Sequence, residues 1–86
     1  MTEDWHPRLV AHARLRRDAR RDVEVLLLPE RVVRLNATAA EILRLCDGRR
    51  TAACIGAALG RRYPDQDVTP AVSRFLDRVR LEGWVR

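Results

Sequence analysis

Two cysteines and two histidines are the side chains of this 86-residue chain best suited to metal binding or nucleophilic chemistry. Zinc sites use closely spaced pairs of ligands, and neither Cys46 and Cys54 nor His6 and His12 form such a pair. Neither histidine has a serine, cysteine or carboxylate at a recognisable catalytic spacing. The sequence therefore predicts no metal and no catalytic residue, and it favours both cysteines as buried, reduced thiols rather than a disulfide.

Carboxylates and glycines give no stronger signal for a reaction. Asp65 and Asp67 flank Gln66 before a predicted helix, but two carboxylates fall short of the roughly six to eight oxygens that calcium takes. They are better explained as charges that favour a helix N-terminus. No glycine-rich phosphate loop is present. We therefore expect a protein that is not an enzyme and needs no cofactor.

The charge balance is basic but evenly spread. The chain has 17 basic residues, all arginine, and 12 acidic residues, so its net charge is +5. Such a charge suits an acidic partner, but nucleic-acid binding usually concentrates it in a stripe or cluster, so nucleic acid is disfavoured. No run approaches the roughly 20 apolar residues that cross a bilayer, and the N-terminus lacks a signal-peptide pattern. These features predict a cytoplasmic protein with no membrane partner.

The predicted secondary structure begins with three strands. Apolar and polar residues alternate over 9–17, an apolar run covers 23–28, and a short strand follows over 31–35. The polar stretch 16–22, RRDARRD, is interpreted as a hairpin loop. Pro29-Glu30 is a tight turn, because proline presets the backbone angle that a turn requires. This order predicts an antiparallel meander.

Three predicted helices follow. Thr38 and Glu41 have the spacing of a capping box for the first helix, with Asn36 as the rival cap, and Gly48 ends it. Thr51 starts the second helix, which stops at Tyr63-Pro64. The core stripes of the first two helices are Ala39, Ile42, Leu43 and Cys46, and Ala52, Ile55, Leu59 and Tyr63.

The third helix is predicted to be capped by Thr69, with Pro70 at its first position, and to end at Glu82-Gly83. Its core stripe is Val72, Phe75, Leu76 and Val79. Trp84-Val85 then either returns to the sheet or covers the core.

Together these elements predict one α+β domain over residues 1–86. It is winged-helix-like, a three-stranded antiparallel sheet followed by a three-helix bundle, and residues 1–7 form a flexible lead-in.

A meander of this kind leaves the third strand with an open edge, which must be blunted or used. Arg31 and Arg34 could simply be blunting charges. Alternatively, an extended peptide adds a strand there. A second surface of the third helix, Ala71, Arg74, Arg78 and Leu81, would then flank the edge. The resulting groove, with an apolar floor and basic rims, would suit a peptide with acidic residues and a few apolar anchors. Val33→Pro is predicted to remove an edge amide and weaken such binding.

Several of these motifs occur together in one known family. The stretch LLLPERVVRLNATAAEILRLCDGRRT over 26–51, followed by IGAALGRRYP and the closing FLDRVRLEGWVR, resembles the PqqD family. These are small peptide chaperones of pyrroloquinoline quinone (PQQ) biosynthesis. They belong to a wider set of recognition elements for ribosomally made, post-translationally modified peptides (RiPPs). The resemblance runs from about residue 7 to residue 86.

The resemblance implies a chaperone without catalysis of its own. It implies that the chain binds a short, PqqA-like precursor peptide and delivers it to a PqqE-like radical S-adenosylmethionine (SAM) enzyme. The family's peptide-binding strand falls on Arg31, Val32, Val33, Arg34 and Leu35, and its helix wall on Ala71, Arg74, Phe75 and Arg78. The hairpin loop lacks the glycine or aromatic residues of close relatives, and Cys54 stands where an acidic residue is common. These departures leave open a related mycofactocin or lasso-peptide pathway.

Two other classes of function stay open. The first is a winged-helix DNA-binding domain, which needs base-reading side chains near the start of a recognition helix. The second helix opens Ala52-Ala53-Cys54-Ile55, which cannot read bases, whereas the third offers Ser73 and Arg74. The second class is a structural or oligomerisation module. The chain is expected to be a monomer or a homodimer.

Overall fold

The computed structural model describes residues 5–86. Three strands are followed by three helices, which confirms the predicted winged-helix-like α+β fold. The elements are β1 (Arg14–Asp18), β2 (Val23–Leu27), β3 (Val32–Leu35), α1 (Ala37–Arg44), α2 (Ala52–Arg62) and α3 (Thr69–Leu81).

The sheet has the order β1-β2-β3 and is antiparallel throughout. Leu15, Leu26 and Val33 lie opposite one another across it, so these three side chains share a face. Leu26 is fully buried there. Between β2 and β3, Pro29 and Glu30 form the predicted tight turn, which is closed by backbone hydrogen bonds between Leu28 and Arg31.

The prediction that β1 spans 9–17 is wrong in its first half. Val10 donates a backbone hydrogen bond to the Trp84 carbonyl at 3.0 Å, and Leu9 forms a β-bridge with Val85. The alternation of apolar residues is real, but this segment pairs with the end of the chain rather than with β2. Val85 is 2% exposed, so the closing segment covers the core.

Trp5 and Pro7 belong to the segment predicted to be a flexible lead-in, but both are held against the folded domain. Pro7 is fully buried, and its carbonyl accepts a hydrogen bond from the Gly48 amide at 3.0 Å. Arg80 stacks on the Trp5 ring, 4.2 Å from its centroid. Residues 1–4 of that predicted segment lie outside the described residues.

Two of the three predicted helix caps are wrong. Asn36, the rival cap, accepts the Ala39 amide at 2.8 Å. Glu41 is instead engaged by the Tyr63 hydroxyl, which donates to its carboxylate at 2.8 Å and leaves no capping box. Thr51 caps α2 as predicted, accepting from the Cys54 amide at 3.1 Å.

At the third helix, Thr69 is the first helical residue rather than the cap. Val68 takes the cap position without a side-chain hydrogen bond, and Pro70 lies in the first turn, where a missing amide costs little.

The core lies between the sheet and the helices, and it is aliphatic. Its largest fully buried side chains include Leu26, Leu43, Ile55, Leu59 and Leu76. No buried polar or charged side chain is found in residues 5–86. Over the same residues, no helix combines the length and apolar character that a bilayer crossing requires.

Candidate functional site

The site is built on the outer edge of β3. In residues 5–86 this edge pairs with no other strand, since the sheet ends at β3. The Leu28 amide donates to the Arg31 carbonyl at 2.9 Å, and the Arg31 amide donates back at 3.4 Å. Antiparallel pairs alternate between hydrogen-bonded and non-hydrogen-bonded, so every second residue of β3 bonds to β2.

This alternation fixes which backbone groups are free. Val33 lies opposite Leu26 two residues beyond the Arg31 pair, so its N–H and C=O face β2. Val32 and Arg34 therefore turn their N–H and C=O groups away from the sheet. The prediction that Val33→Pro removes an edge amide is wrong, because that amide belongs to the β2–β3 ladder.

A groove of about 340 Å³ runs beside this edge, between β3 and α3. Half-buried Val33 of β3 and Phe75 of α3 contribute apolar surface, and the buried Leu35 and Val79 lie beneath them as its floor. Phe75 is half-buried, unlike the fully packed residue that the helical stripe predicts, because it lines this groove. Trp84 joins the wall from the closing segment.

The rim of the groove is basic. Arg31, Arg34 and Arg78 line it with a single carboxylate, Glu82. The Arg31 guanidinium lies 3.6 Å from Glu82, and both side chains are about half exposed, at 53% and 45%. An exposed pair of this kind is worth roughly 0–1 kcal/mol, so an incoming carboxylate could replace Glu82 at little cost. Arg34 and Arg78 form no ion pair within the described residues.

The structure brings together six of the nine predicted site residues, namely Arg31, Val33, Arg34, Leu35, Phe75 and Arg78. Arg34 also borders the opposite face of the sheet, where the Val32 side chain lies at 60% exposure. Ala71 and Arg74 precede Phe75 and Arg78 by four residues, so they extend the same face of α3 one turn beyond the groove.

Sequence reasoning missed several groove residues. The helical stripe correctly predicts Val79 as a core residue but not that it also lines the groove. The sequence predicts Glu82 only as a helix end and leaves two possible places for Trp84. The spacing of Arg78 and Glu82, four apart, was a usable signal for a shared helix face. No local signal placed Trp84, because its position depends on pairing with Val10.

The two thiols lie outside the groove. Cys46 is buried, and burial, with a smaller contribution from the charge of Asp47, raises the pKa of its thiol to about 12. Cys54 is exposed, contrary to the prediction of a buried thiol, and hydrogen bonding with Thr51 lowers the pKa of its thiol. Both are free cysteines. Within residues 5–86, no three His, Cys, Asp or Glu side chains cluster as metal ligands.

Comparison with known proteins gives a consistent set of matches. A family model described as coenzyme PQQ synthesis protein D (PqqD) matches residues 24–85. The PqqA binding protein of Pseudomonas aeruginosa (strain UCBPP-PA14) is 39% identical over 83 residues, covering 95% of this chain and 90% of that protein. The PqqA binding protein of Methylococcus capsulatus is 40% identical over 62 residues, covering 72% of this chain and 67% of that protein.

A solved structure matches the whole chain. It is the solution NMR structure of the PqqD truncation of Methylobacterium extorquens PqqCD, described as a functional, stand-alone RiPP recognition element. The TM-score is 0.75 at 34% sequence identity, and the match covers 100% of this chain and 93% of that one. The likeness therefore extends to fold as well as sequence.

Proposed function

The chain belongs to the PqqD family, and we propose that it is a non-catalytic chaperone that binds a short precursor peptide by β-strand addition to β3. The observation that carries this proposal is the open edge of β3, with the free backbone groups of Val32 and Arg34 beside the groove. The names of the relatives support it, since these proteins are described as binding PqqA. We assign residues 1–86 to a single peptide-recognition domain.

The number of free backbone groups on the open edge limits the free energy that hydrogen bonds to a peptide backbone can contribute. Two residues, each with one free N–H and one free C=O, offer four hydrogen bonds to an added strand. At roughly 0.5–1.5 kcal/mol each, these bonds contribute about 2–6 kcal/mol. Ordering the peptide costs roughly 1–2 kcal/mol per residue, so apolar anchors must supply much of the remainder. We expect reversible binding, around micromolar.

The groove sets the preferred peptide sequence. Side chains of an added strand alternate, so every second one points toward α3. The half-buried apolar surface of Val33, Phe75 and Trp84 would receive apolar anchors. Arg34 and Arg78 would attract acidic residues, which favours a peptide with carboxylates near those anchors. Ala71 and Arg74 would extend this contact along α3.

The chemistry itself is assigned to a separate enzyme. A groove that holds a peptide by its backbone and has no nucleophile or acid–base pair suits a carrier. We propose that the carrier presents its peptide to a PqqE-like radical SAM enzyme. Weak, reversible binding suits such a transfer, because the peptide must leave after modification.

Isothermal titration with the pathway's precursor peptide tests this function. Arg78→Glu reverses a rim charge and should weaken binding by about tenfold. Arg61→Glu is the matched control, since this exposed residue of α2 lies outside the groove. Equal affinity in the two variants would remove Arg78 from the site. The absence of binding by the unaltered chain would contradict the function itself.

A further inference from the structure

The face of the sheet that turns away from the helices is a second surface. We call it the outer face, and its strand residues are Arg14, Arg16, Asp18, Val23, Val25, Leu27, Val32 and Arg34. The register places Val25 between Arg16 and Arg34, and Leu27 between Arg14 and Val32. Side chains alternate along a strand, so these residues lie opposite the face that carries the buried Leu26.

Aliphatic side chains form the centre of the outer face. Val23 and Leu27 are half-buried, and Val32 is 60% exposed. Val25 is only 8% exposed but lies outside the main core cluster, because it is flanked by neighbours on its own face. Together with the β1–β2 hairpin these residues enclose a concavity of about 370 Å³.

The border of the outer face is strongly basic. Arg14, Arg16 and Arg34 lie on it, and Arg21 borders its concavity from the hairpin. None of these four arginines forms an ion pair within the described residues. Asp18 is the one carboxylate lining the concavity, and its oxygen already accepts the Arg20 and Arg21 amides at 3.1 and 3.3 Å. The surface therefore combines an aliphatic centre with an excess of positive charge, since these four arginines share it with the single carboxylate of Asp18.

We propose that the outer face is the docking surface for the enzyme partner, and that it recognises an aliphatic patch bordered by carboxylates. This inference rests on the proposed function. A peptide added to β3 would point every second side chain onto this same face, beside Val32 and Arg34. The enzyme would thus contact the chaperone and half of the peptide's side chains on one continuous surface, without displacing the peptide from the groove.

The composition of the outer face favours a protein over other partners. Two copies of this chain would bring unpaired arginines against one another, which opposes self-association through this face. Single-stranded nucleic acid is held by aromatic stacking, and the residues of this face are aliphatic or charged. An aliphatic centre with a charged border instead resembles the core and rim of a protein–protein interface.

Arg16→Glu tests the docking surface without touching the peptide site. Arg16 is on β1, two strands or roughly 10 Å from the open edge. The probe is the purified radical SAM enzyme of the same pathway, measured by biolayer interferometry against the full chain with and without precursor peptide. We expect Arg16→Glu to weaken enzyme binding by about tenfold or more, with peptide affinity within about twofold of the unaltered chain. Arg14→Glu should behave in the same way, and Arg61→Glu should bind the enzyme normally.

Three results would overturn the docking surface. The first is enzyme binding that is equal in Arg16→Glu, Arg14→Glu and Arg61→Glu, or absent from the unaltered chain. The second is a shift of random duplex DNA that Arg16→Glu abolishes. The third is a homodimer in sedimentation that Arg16→Glu dissociates. The peptide titration separates the two proposals: an unaltered chain that binds the enzyme through Arg16 but no peptide would refute the chaperone function and leave the docking surface standing.

Discussion

Replacing Val32 with proline removes one of the two N–H groups of β3 that face away from β2. The change should leave the fold intact, because proline is tolerated on an edge strand where its missing N–H had no partner in the sheet. An added peptide would lose one hydrogen bond, worth roughly 0.5–1.5 kcal/mol. We therefore expect the dissociation constant for the precursor peptide to rise about two- to twelvefold.

Val32→Ala is the matched control, because it shortens the same side chain and keeps the N–H. Isothermal titration of both variants isolates the contribution of the backbone. Val33→Pro is the opposite case, since its N–H bonds to β2 within the ladder. It should lower the free energy of unfolding by roughly 1–3 kcal/mol in urea, whereas Val32→Pro should not. Equal peptide affinity of Val32→Pro and Val32→Ala would refute strand addition at this edge.

Three further predictions concern the rim, the thiols and a helix cap. Glu82→Gln releases Arg31 from its ion pair, so affinity for an acidic peptide should rise about two- to fivefold at low salt, and an unchanged titration would contradict this. Cys54 should react with a thiol reagent at pH 8 while Cys46 reacts only after unfolding. Labelling of both thiols in the native protein at pH 8 would contradict the assignment of Cys46 as buried and Cys54 as exposed. Since the pKa of Cys46 is raised from 9.0 to about 12, the contribution of its thiol to stability is complete below pH 9 and is lost as the pH rises toward 12. Asn36→Ala removes the α1 cap and should cost about 1 kcal/mol of unfolding free energy in urea, whereas Asn36→Asp should retain it, and equal stability of the two would contradict this cap.

Much of the fold follows from local sequence pattern. The β2 and β3 runs, the turn at Pro29-Glu30 and the α2 cap at Thr51 depend on neighbouring residues, and their predictions agree with the structure. The start of β1 could not be found in this way, because Leu9 pairs with Val85 at the other end of the chain. An alternating pattern shows that a segment is extended but does not identify its partner.

The choice of the α1 cap shows a second limit. Asn36 and Thr38 are both good capping residues, and local preference does not separate them. In the structure Asn36 is the cap, and the glutamate that a capping box at Thr38 would need accepts a hydrogen bond from Tyr63, a residue distant in sequence.

The sequence indicates where the groove beside β3 lies but not its detail. The open edge follows from strand order, and the basic face of α3 follows from helical spacing. The free amides of β3 could also be predicted from the sequence. A two-residue turn makes Arg31 a hydrogen-bonded partner of Leu28, and the alternation of pairs then shows which other amides of β3 bond to β2. The position of Trp84 could not be predicted from the sequence, because the closing segment is positioned by contacts with Val10 and the core.

Amide hydrogen exchange along β3, with and without saturating precursor peptide, tests strand addition most directly. Val33 and Leu35 should already be protected in the free protein, because their amides bond to β2. Val32 and Arg34 should exchange rapidly in the free protein and slow by about tenfold or more when the peptide binds. A saturated complex in which Val32 and Arg34 exchange as fast as before would contradict the account.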